Sequence, residues 1–172
     1  MSKLDEPTAF ADFSRFVAAQ YMRTPRLQKR NAEALKPLVP HFNADAAWGL
    51  LRTIFANNIG AFMYVQRNKY HFTYLDSKDS KFITGDQPML NNKSPPASSV
   101  PPSQLEFYYP LSPELALLMS FDNNERFVSR QELTPGQVDR YNQNIAAASS
   151  DQVYAQSEST LKVLLRSRTS SY

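Results

Sequence analysis

The sequence contains no cysteine, which excludes disulfides, thiolate metal sites and cysteine nucleophiles. With His41 and His71 as its two histidines, a chelate of three histidines is excluded as well. Four glycines in 172 residues leave no room for a glycine-rich phosphate loop. No serine stands in a Gly-x-Ser-x-Gly elbow, so the hydrolase route built on it has no sequence support. No run of about 18 apolar residues is present, so no membrane span is expected. MSKLDEPTAF at the amino terminus lacks the apolar core of a signal peptide. Together these absences make a soluble protein of a reducing cytoplasm the simplest expectation.

What is plentiful is aromatic and aliphatic. Phe numbers 11, Tyr 9 and Trp 1, and hydrophobic residues make up 42%, which argues against disorder over most of the chain. The length suits one domain over residues 1–172 with a core of its own. Net charge is +3. Residues 1–68 hold 9 basic against 5 acidic groups, whereas residues 69–133 hold 6 against 8. A nucleic-acid binder concentrates its basic groups on one face; the excess here is small, and no nucleic-acid partner is expected.

Periodicity divides the chain. Pro7 and the recurrence of Phe10, Phe13, Val17 and Tyr21 at three- and four-residue steps predict a helix over 7–22. Thr24 followed by Pro25 is expected to cap a second helix with Leu27, Ala34, Leu35 and Leu38 inward, ended by Pro37 and Pro40. Asn43 caps a third over 44–66, with Trp48, Leu51, Phe55, Ile59 and Phe62 on its buried side, Leu50, Ile54 and Met63 widening that stripe, and Gly60 marking a close helix crossing. After Asn68 the period shortens to two. Tyr70, Phe72 and Tyr74 alternate with His71 and Thr73, a polar turn follows at 76–80, and 81–84 is expected to return as the second strand of a hairpin. Residues 91–103, with four prolines, read as an exposed loop. LEFYY (105–109) and LALLMSF (115–121) predict two more strands, the second apolar on both faces and therefore central. A turn is expected at 122–124. Thr134 and Pro135 start a covering helix with Val138, Tyr141 and Ile145 inward. A short strand at 152–155, a helix at 159–167 and a frayed tail complete the chain. Helices first, then a small mostly antiparallel sheet with a covering carboxy-terminal helix, define an α+β fold.

Three segments are similar to one bacterial family. FITGDQP at 82–88 resembles its FIT-Ser-Asp-Asn-Pro core, YYPLSPE at 108–114 its aromatic-Pro-Leu-Ser-Pro element, and AAQYMRTPR at 18–26 its helix ending in Arg-Thr-Pro. Asn142 and Asn144 sit where that family carries an asparagine before a final Val-Tyr pair, here Val153 and Tyr154. The family is domain of unknown function 4238, and the resemblance runs from about residue 10 to residue 156. Gly85 stands in place of the motif serine and Gln87 in place of the motif asparagine. Larger members carry an upstream His-Tyr-Val-Pro-like segment that this sequence does not contain. The resemblance implies a shared fold and carries no activity with it.

Candidate functional residues lie mostly in turns. Asp86 sits in a Gly-Asp-Gln-Pro turn at a strand end, where function is often placed; its ordinary role is to bond backbone amides two residues on. Asp76, Asp79, Asp86 and Glu114 are enough carboxylates for Mg²⁺, but turns favour aspartate in any case, and neither metal nor cofactor is expected. His71, among aromatics on a strand, reads as a hydrogen-bonded core histidine. Arg23, Arg26, Lys29 and Arg30 form a basic stripe, best read as a solvated helix face and otherwise suited to phosphates or an acidic protein. Tyr70, Tyr74, Tyr108 and Tyr109 are read as half core and half interface anchor.

Scarce catalytic groups and abundant Tyr, Asn, Gln and Arg favour a non-enzymatic protein-binding protein. The concrete case is an immunity protein that neutralises a bacterial toxin by covering its active site. A toxin that handles a phosphorylated substrate carries a basic cleft, which would repel the arginine stripe. The contact is therefore expected on the acidic sheet region and its turns, with Tyr74, Asp76, Asp79, Asp86, Glu106 and Tyr108 as binding residues. The alternative is a metal-dependent hydrolase acting on phosphodiesters, centred on Asp86.

Overall fold

The computed structural model describes residues 6–39, 41–93, 105–121 and 127–169. Five helices and seven strands follow in the order α1 (Pro7–Met22), α2 (Pro25–Leu35), α3 (Trp48–Val65), β1 (Tyr70–Asp76), β2 (Thr84–Gly85), β3 (Leu90–Asn91), β4 (Glu106–Ser112), β5 (Leu115–Phe121), β6 (Val128–Glu132), α4 (Pro135–Ala148), β7 (Val153–Tyr154) and α5 (Glu158–Thr169). This is the α+β arrangement that the periodicity predicts. The loop expected over 91–103 lies outside the described residues from 94 onward, as does the turn at 122–124. Of the tail expected to fray, residues 166–169 continue α5 and 170–172 lie outside the description.

The main sheet has the order β3-β4-β5-β1-β6, antiparallel except for the β1 and β6 pair. LALLMSF is central, as its two apolar faces require. Side chains alternate between two cores. Tyr70, Phe72, Phe107, Leu117 and Met119 meet Phe10, Val17 and Tyr21 of α1, Leu27 of α2, and Trp48 and Met63 of α3. Leu75, Tyr108 and Ala116 meet Val138, Ile145 and Ala146 of α4 and Leu164 of α5 on the other side. The sheet is thus the middle layer of three.

The hairpin expected from 70–76 and 81–84 does not form. β5 and β6 occupy both edges of β1, so the returning segment has no edge to pair with. Ser77 closes a local turn through its hydroxyl onto the Ser80 carbonyl at 2.6 Å. The chain then leaves the sheet, and Thr84 and Gly85 pair with Tyr154 and Val153 in a separate two-stranded ladder. Strands β3 and β6 are not foreseen by the periodicity; β6 is polar and mostly exposed, so it carries little alternation. β4 runs past Tyr109 to Ser112, with a register shift between Pro110 and Ser112, the kind of irregularity at which a strand accepts proline.

The helices also depart from their expected faces. α3 crosses α1 closely at Gly60, where an added Cβ would lie 3.5 Å from the Ser14 carbonyl oxygen. Its buried side is Trp48, Gly60 and Met63, while Phe55 is half-buried and Phe62 is 47% exposed. In α2 only Leu27 is buried, and Leu38 beyond it is 76% exposed. Asn43 does cap, accepting the Ala46 amide at 3.0 Å, one turn ahead of α3. Thr24 occupies the amino-terminal flank of α2 in an extended conformation without the expected side-chain cap bond; its hydroxyl instead donates to Gln87. No helix among the described residues is long and apolar enough to cross a membrane.

Candidate functional site

The FITGDQP segment has almost no ladder of its own and is held by side chains from distant elements. Asn142 of α4 donates to the Lys81 carbonyl at 2.9 Å and accepts the Ile83 amide at 3.0 Å. The Phe82 amide donates to the Pro113 carbonyl at 2.8 Å, which ties in the YYPLSPE hairpin. Gly85 passes against the turn after α4, where an added Cβ would fall 2.1 Å from Ser149 Oγ and 2.8 Å from the Gln152 carbonyl oxygen. The motif serine of the family is therefore replaced here by the one residue that fits.

Asp86 clamps that same turn. Its Oδ1 accepts the Ser150 amide at 2.9 Å and its Oδ2 the Asp151 amide at 2.7 Å, while its own amide donates to the Gln152 carbonyl at 3.0 Å. The bonds reach across the fold rather than two residues along the chain. Desolvation works to raise the Asp86 pKa, but the amides of Asp151, Ser150, Gln152 and Gln87 outweigh it and hold the carboxyl below its ordinary range. Gln87 is buried; its Oε1 accepts the Thr24 hydroxyl and its Nε2 donates to the Met89 carbonyl at 2.7 Å. The Arg-Thr-Pro and Gly-Asp-Gln-Pro segments thus meet through Thr24 and Gln87.

Beside that contact, α2, β3 and the end of α4 enclose a cleft of about 290 Å³. Arg26 and Arg30 line it from one side, four residues apart on α2, with Tyr21 beneath; Asn91, Asn92 and Asn144 line the other. Arg26 Nη1 donates to the Ala147 carbonyl at 3.2 Å, at the carboxy-terminal turn of α4 where the helix dipole favours a cation. Burial raises the Tyr21 pKa, and the charges of Arg30 and Arg26 partly offset the rise. The expected basic stripe is consequently divided: Arg30 lines this cleft, Arg26 lines both it and a second hollow shared with Lys29, and Arg23 lies in a groove along the seam of α1 and α3 with Arg15 and Arg52.

The six residues expected to bind a partner are not brought together. Tyr74 is half-buried on the α1 and α3 side of the sheet. Asp76 ends β1 and is gripped by Arg130, Nε to Oδ2 at 2.5 Å and Nη2 to Oδ1 at 2.7 Å; these bonds hold its carboxyl below the ordinary range. Asp79 is exposed in the following turn. Glu106 and Tyr108 lie on β4, beyond β5, with side chains on the α4 side. Glu106 accepts from Asn92 at 3.3 Å and pairs with Lys93 at 3.8 Å. Tyr108 is fully buried, its ring stacked on Tyr141 at 4.3 Å, and burial raises its pKa. Asp86 belongs to the clamp. His71 is buried on β1 with its ring 3.9 Å from that of Phe127. Among the described residues no three His, Asp or Glu side chains are grouped as a metal requires; Asp76, Asp86 and Glu114 each have a partner of another kind, Glu114 being paired with Lys81.

Sequence reasoning missed the cleft because its walls come from three distant stretches. The available signal was the four-residue spacing of Arg26 and Arg30, which puts both on one side of α2, whereas Arg23 precedes that helix.

Fold and site together define a three-layer α+β protein whose signature segments build a polar, arginine-bearing cleft at the junction of α2 and α4. The chain belongs to the family described as protein of unknown function (DUF4238), whose model matches residues 2–159. No curated protein and no solved structure matches it.

Proposed function

We propose that this protein acts by binding another protein rather than by catalysis, in the manner of an immunity protein that neutralises a toxin by covering its active site. The observation that supports this reading is the outer face of α3. Its only charged residue is Arg52, yet Leu50, Ile54, Phe62 and Val65 are exposed, Leu50 by 67% and Val65 by 69%. Leu50, Ile54, Ala61 and Val65 recur at spacings that form one stripe. A helix apolar on nearly all sides is normally enclosed, and a contiguous apolar surface marks an interaction site.

Asn57, adjacent to Ile54 and Ala61 on the helix surface, separates this stripe from the groove that holds Arg15, Arg23 and Arg52. Arg23 and Arg52 have no ion pair among the described residues. The matching partner is a protein presenting an apolar patch rimmed by carboxylates. This moves the contact from the sheet residues to the first and third helices, since Tyr108 is enclosed and Asp76 is occupied by Arg130. The hydrolase reading draws less support, because both oxygens of Asp86 already accept backbone amides.

The test is affinity capture from the source cells with wild-type protein and with a Leu50→Asp, Ile54→Asp variant as baits, followed by mass spectrometry and by binding measurements on the purified partner. The expected result is an acidic-rimmed protein retained by wild type and lost by the variant. Equal retention by both baits would remove α3 from the interface, and a sedimentation mass of two chains for wild type alone would assign the face to self-association.

A further inference from the structure

Next to the close approach of Gly60 to Ser14 and Arg15, α1 and α3 leave a groove of about 410 Å³ between them. Arg15 and Arg23 stand on its α1 wall and Arg52 on its α3 wall, and its apolar lining is Ala19, Met22 and Ala56. The described residues that line it include no aspartate or glutamate. Arg15 pairs at 3.8 Å with Asp12, which does not line the groove, and both side chains are largely exposed; such a pair contributes little. Arg23 and Arg52 have no ion pair among the described residues. The groove therefore concentrates positive charge without an internal counter-charge, which draws an anion to it.

The spacing of the charges selects the shape of that anion. Arg15 and Arg23 are eight residues apart, about 12 Å along α1 at 1.5 Å per residue. Arg52 is eight residues before Gly60, so it too stands about 12 Å from the crossing that holds Arg15. A lone phosphate or carboxylate meets one end of such a groove. An extended peptide matches both ends: at about 3.3 Å per residue, side chains four positions apart are about 13 Å from each other and share one face with the side chain midway between them. Acidic residues at the outer positions meet Arg15 at one end and Arg23 with Arg52 at the other, each guanidinium being a fork suited to a carboxylate. An apolar residue midway lies over Ala19 and Ala56, whose small side chains leave room for it. Asn57 on the α3 wall offers a donor and an acceptor to the peptide main chain. The described lining holds no aromatic ring, so a nucleobase would have nothing to stack on.

We propose that the groove between α1 and α3 docks an extended acidic segment of a protein partner, with acidic residues four positions apart and an apolar residue midway. The inference rests on the protein-binding reading above and adds the element by which the partner is recognised. The full-length protein is titrated calorimetrically at low salt with the end-capped peptide Gly-Gly-Glu-Ser-Leu-Ser-Glu-Gly-Gly, with its isomer Gly-Gly-Glu-Glu-Leu-Ser-Ser-Gly-Gly, and with pyrophosphate as a compact anion. Saturable binding of the first peptide is expected, falling with salt and about threefold or more tighter than that of the isomer, whose adjacent glutamates point to opposite faces when extended. Arg15→Gln and Arg52→Gln, both at exposed positions, should each weaken it about threefold or more while the ligand-free melting temperature is kept. The proposal is overturned if the first peptide does not saturate by about 10 mM, if the isomer or pyrophosphate binds as tightly, or if either variant leaves the affinity unchanged. An Arg23→Gln, Arg52→Gln variant, added as a third bait to the capture experiment, separates the two readings. A partner retained by wild type and by this bait but lost by Leu50→Asp, Ile54→Asp would overturn the groove inference and leave the partner reading in place. Selective binding of the first peptide with no partner captured would do the reverse.

Discussion

The Thr24 hydroxyl donates to the side-chain oxygen of Gln87, and both residues are buried. The contact joins the turn between α1 and α2 to the segment that follows β2. Gln87 in turn bonds the Met89 carbonyl through its other end, so both ends of the amide are used. Replacing Thr24 by valine keeps the shape and strands the Gln87 oxygen away from water, a loss of about 1–3 kcal/mol. Thr24→Ser keeps the donor and should recover most of it. Urea melts of the two variants measure the difference, and equal stability of valine and serine would show that the bond contributes nothing.

Asp86 yields a pH dependence with a definite sign. Desolvation works against its charge, yet its folded carboxyl sits below the ordinary value because four backbone amides face it. Stability from this group is therefore complete above the ordinary aspartate value of about 3.9 and is lost as pH falls toward the lower folded value. An asparagine side chain there would present an NH₂ to one of the two amides that now meet oxygen, so Asp86→Asn should cost about 1–2 kcal/mol at neutral pH. Between pH 5 and pH 3, taken as roughly the window of an ordinary aspartate, wild type should lose more stability than the variant. Asp76 titrates in the same direction beside Arg130, so the comparison with Asp86→Asn, rather than the wild-type curve alone, carries the test.

Much of this fold was legible in the sequence where one element decides its own geometry. α1, α4 and β5 follow from local periodicity, and Thr134 with Pro135 opens α4 as its sequence suggests, its amide and hydroxyl both meeting the Gln137 side-chain oxygen. What was not legible depends on pairing at a distance. Lys81 through Gln87 reads as a strand and a turn, but its partners are Asn142, Pro113, Ser150, Asp151 and Thr24, supplied from both ends of the chain. The same holds for the cleft: Arg26 and Arg30 look like any solvated pair until α4 is placed across from them. Tyr108 is ambiguous for a different reason, since an alternating strand shows which residues share a face without showing whether that face is covered.

Gly85 is set by close approach rather than by backbone conformation, since no residue among those described has a positive φ. Gly85→Ala should destabilise by about 1–3 kcal/mol, because the new methyl must displace Ser149 Oγ and press on the Gln152 carbonyl. Ser149 Oγ also donates to the Ile145 carbonyl at 2.9 Å, so moving it breaks a bond at the end of α4. Combining Gly85→Ala with Ser149→Gly removes the first clash and leaves the second. The double variant should regain part of the loss, and a non-additive thermal-melt cycle measures how much. Strict additivity would mean that the Ser149 side chain is not what excludes a Cβ.

The apolar residues of α1 and α3 should separate cleanly into those that hold the fold and those that do not. Phe10 is fully enclosed, with ring centroids 6.1 Å from both Phe13 and Phe72, and its truncation to alanine should cost about 3–5 kcal/mol. Phe62 retains 47% of its exposure and leans on Phe121 at 6.0 Å, so Phe62→Ala should cost far less. Leu50 and Ile54 face outward, and Leu50→Asp, Ile54→Asp should change stability by no more than about 0.5 kcal/mol per site. The rank order Phe10 above Phe62 above Leu50 in chemical denaturation checks the layer assignment. A large loss at Leu50 in dilute monomer would mean that the α3 face is already covered within the chain, and the proposed partner surface would have to be sought elsewhere.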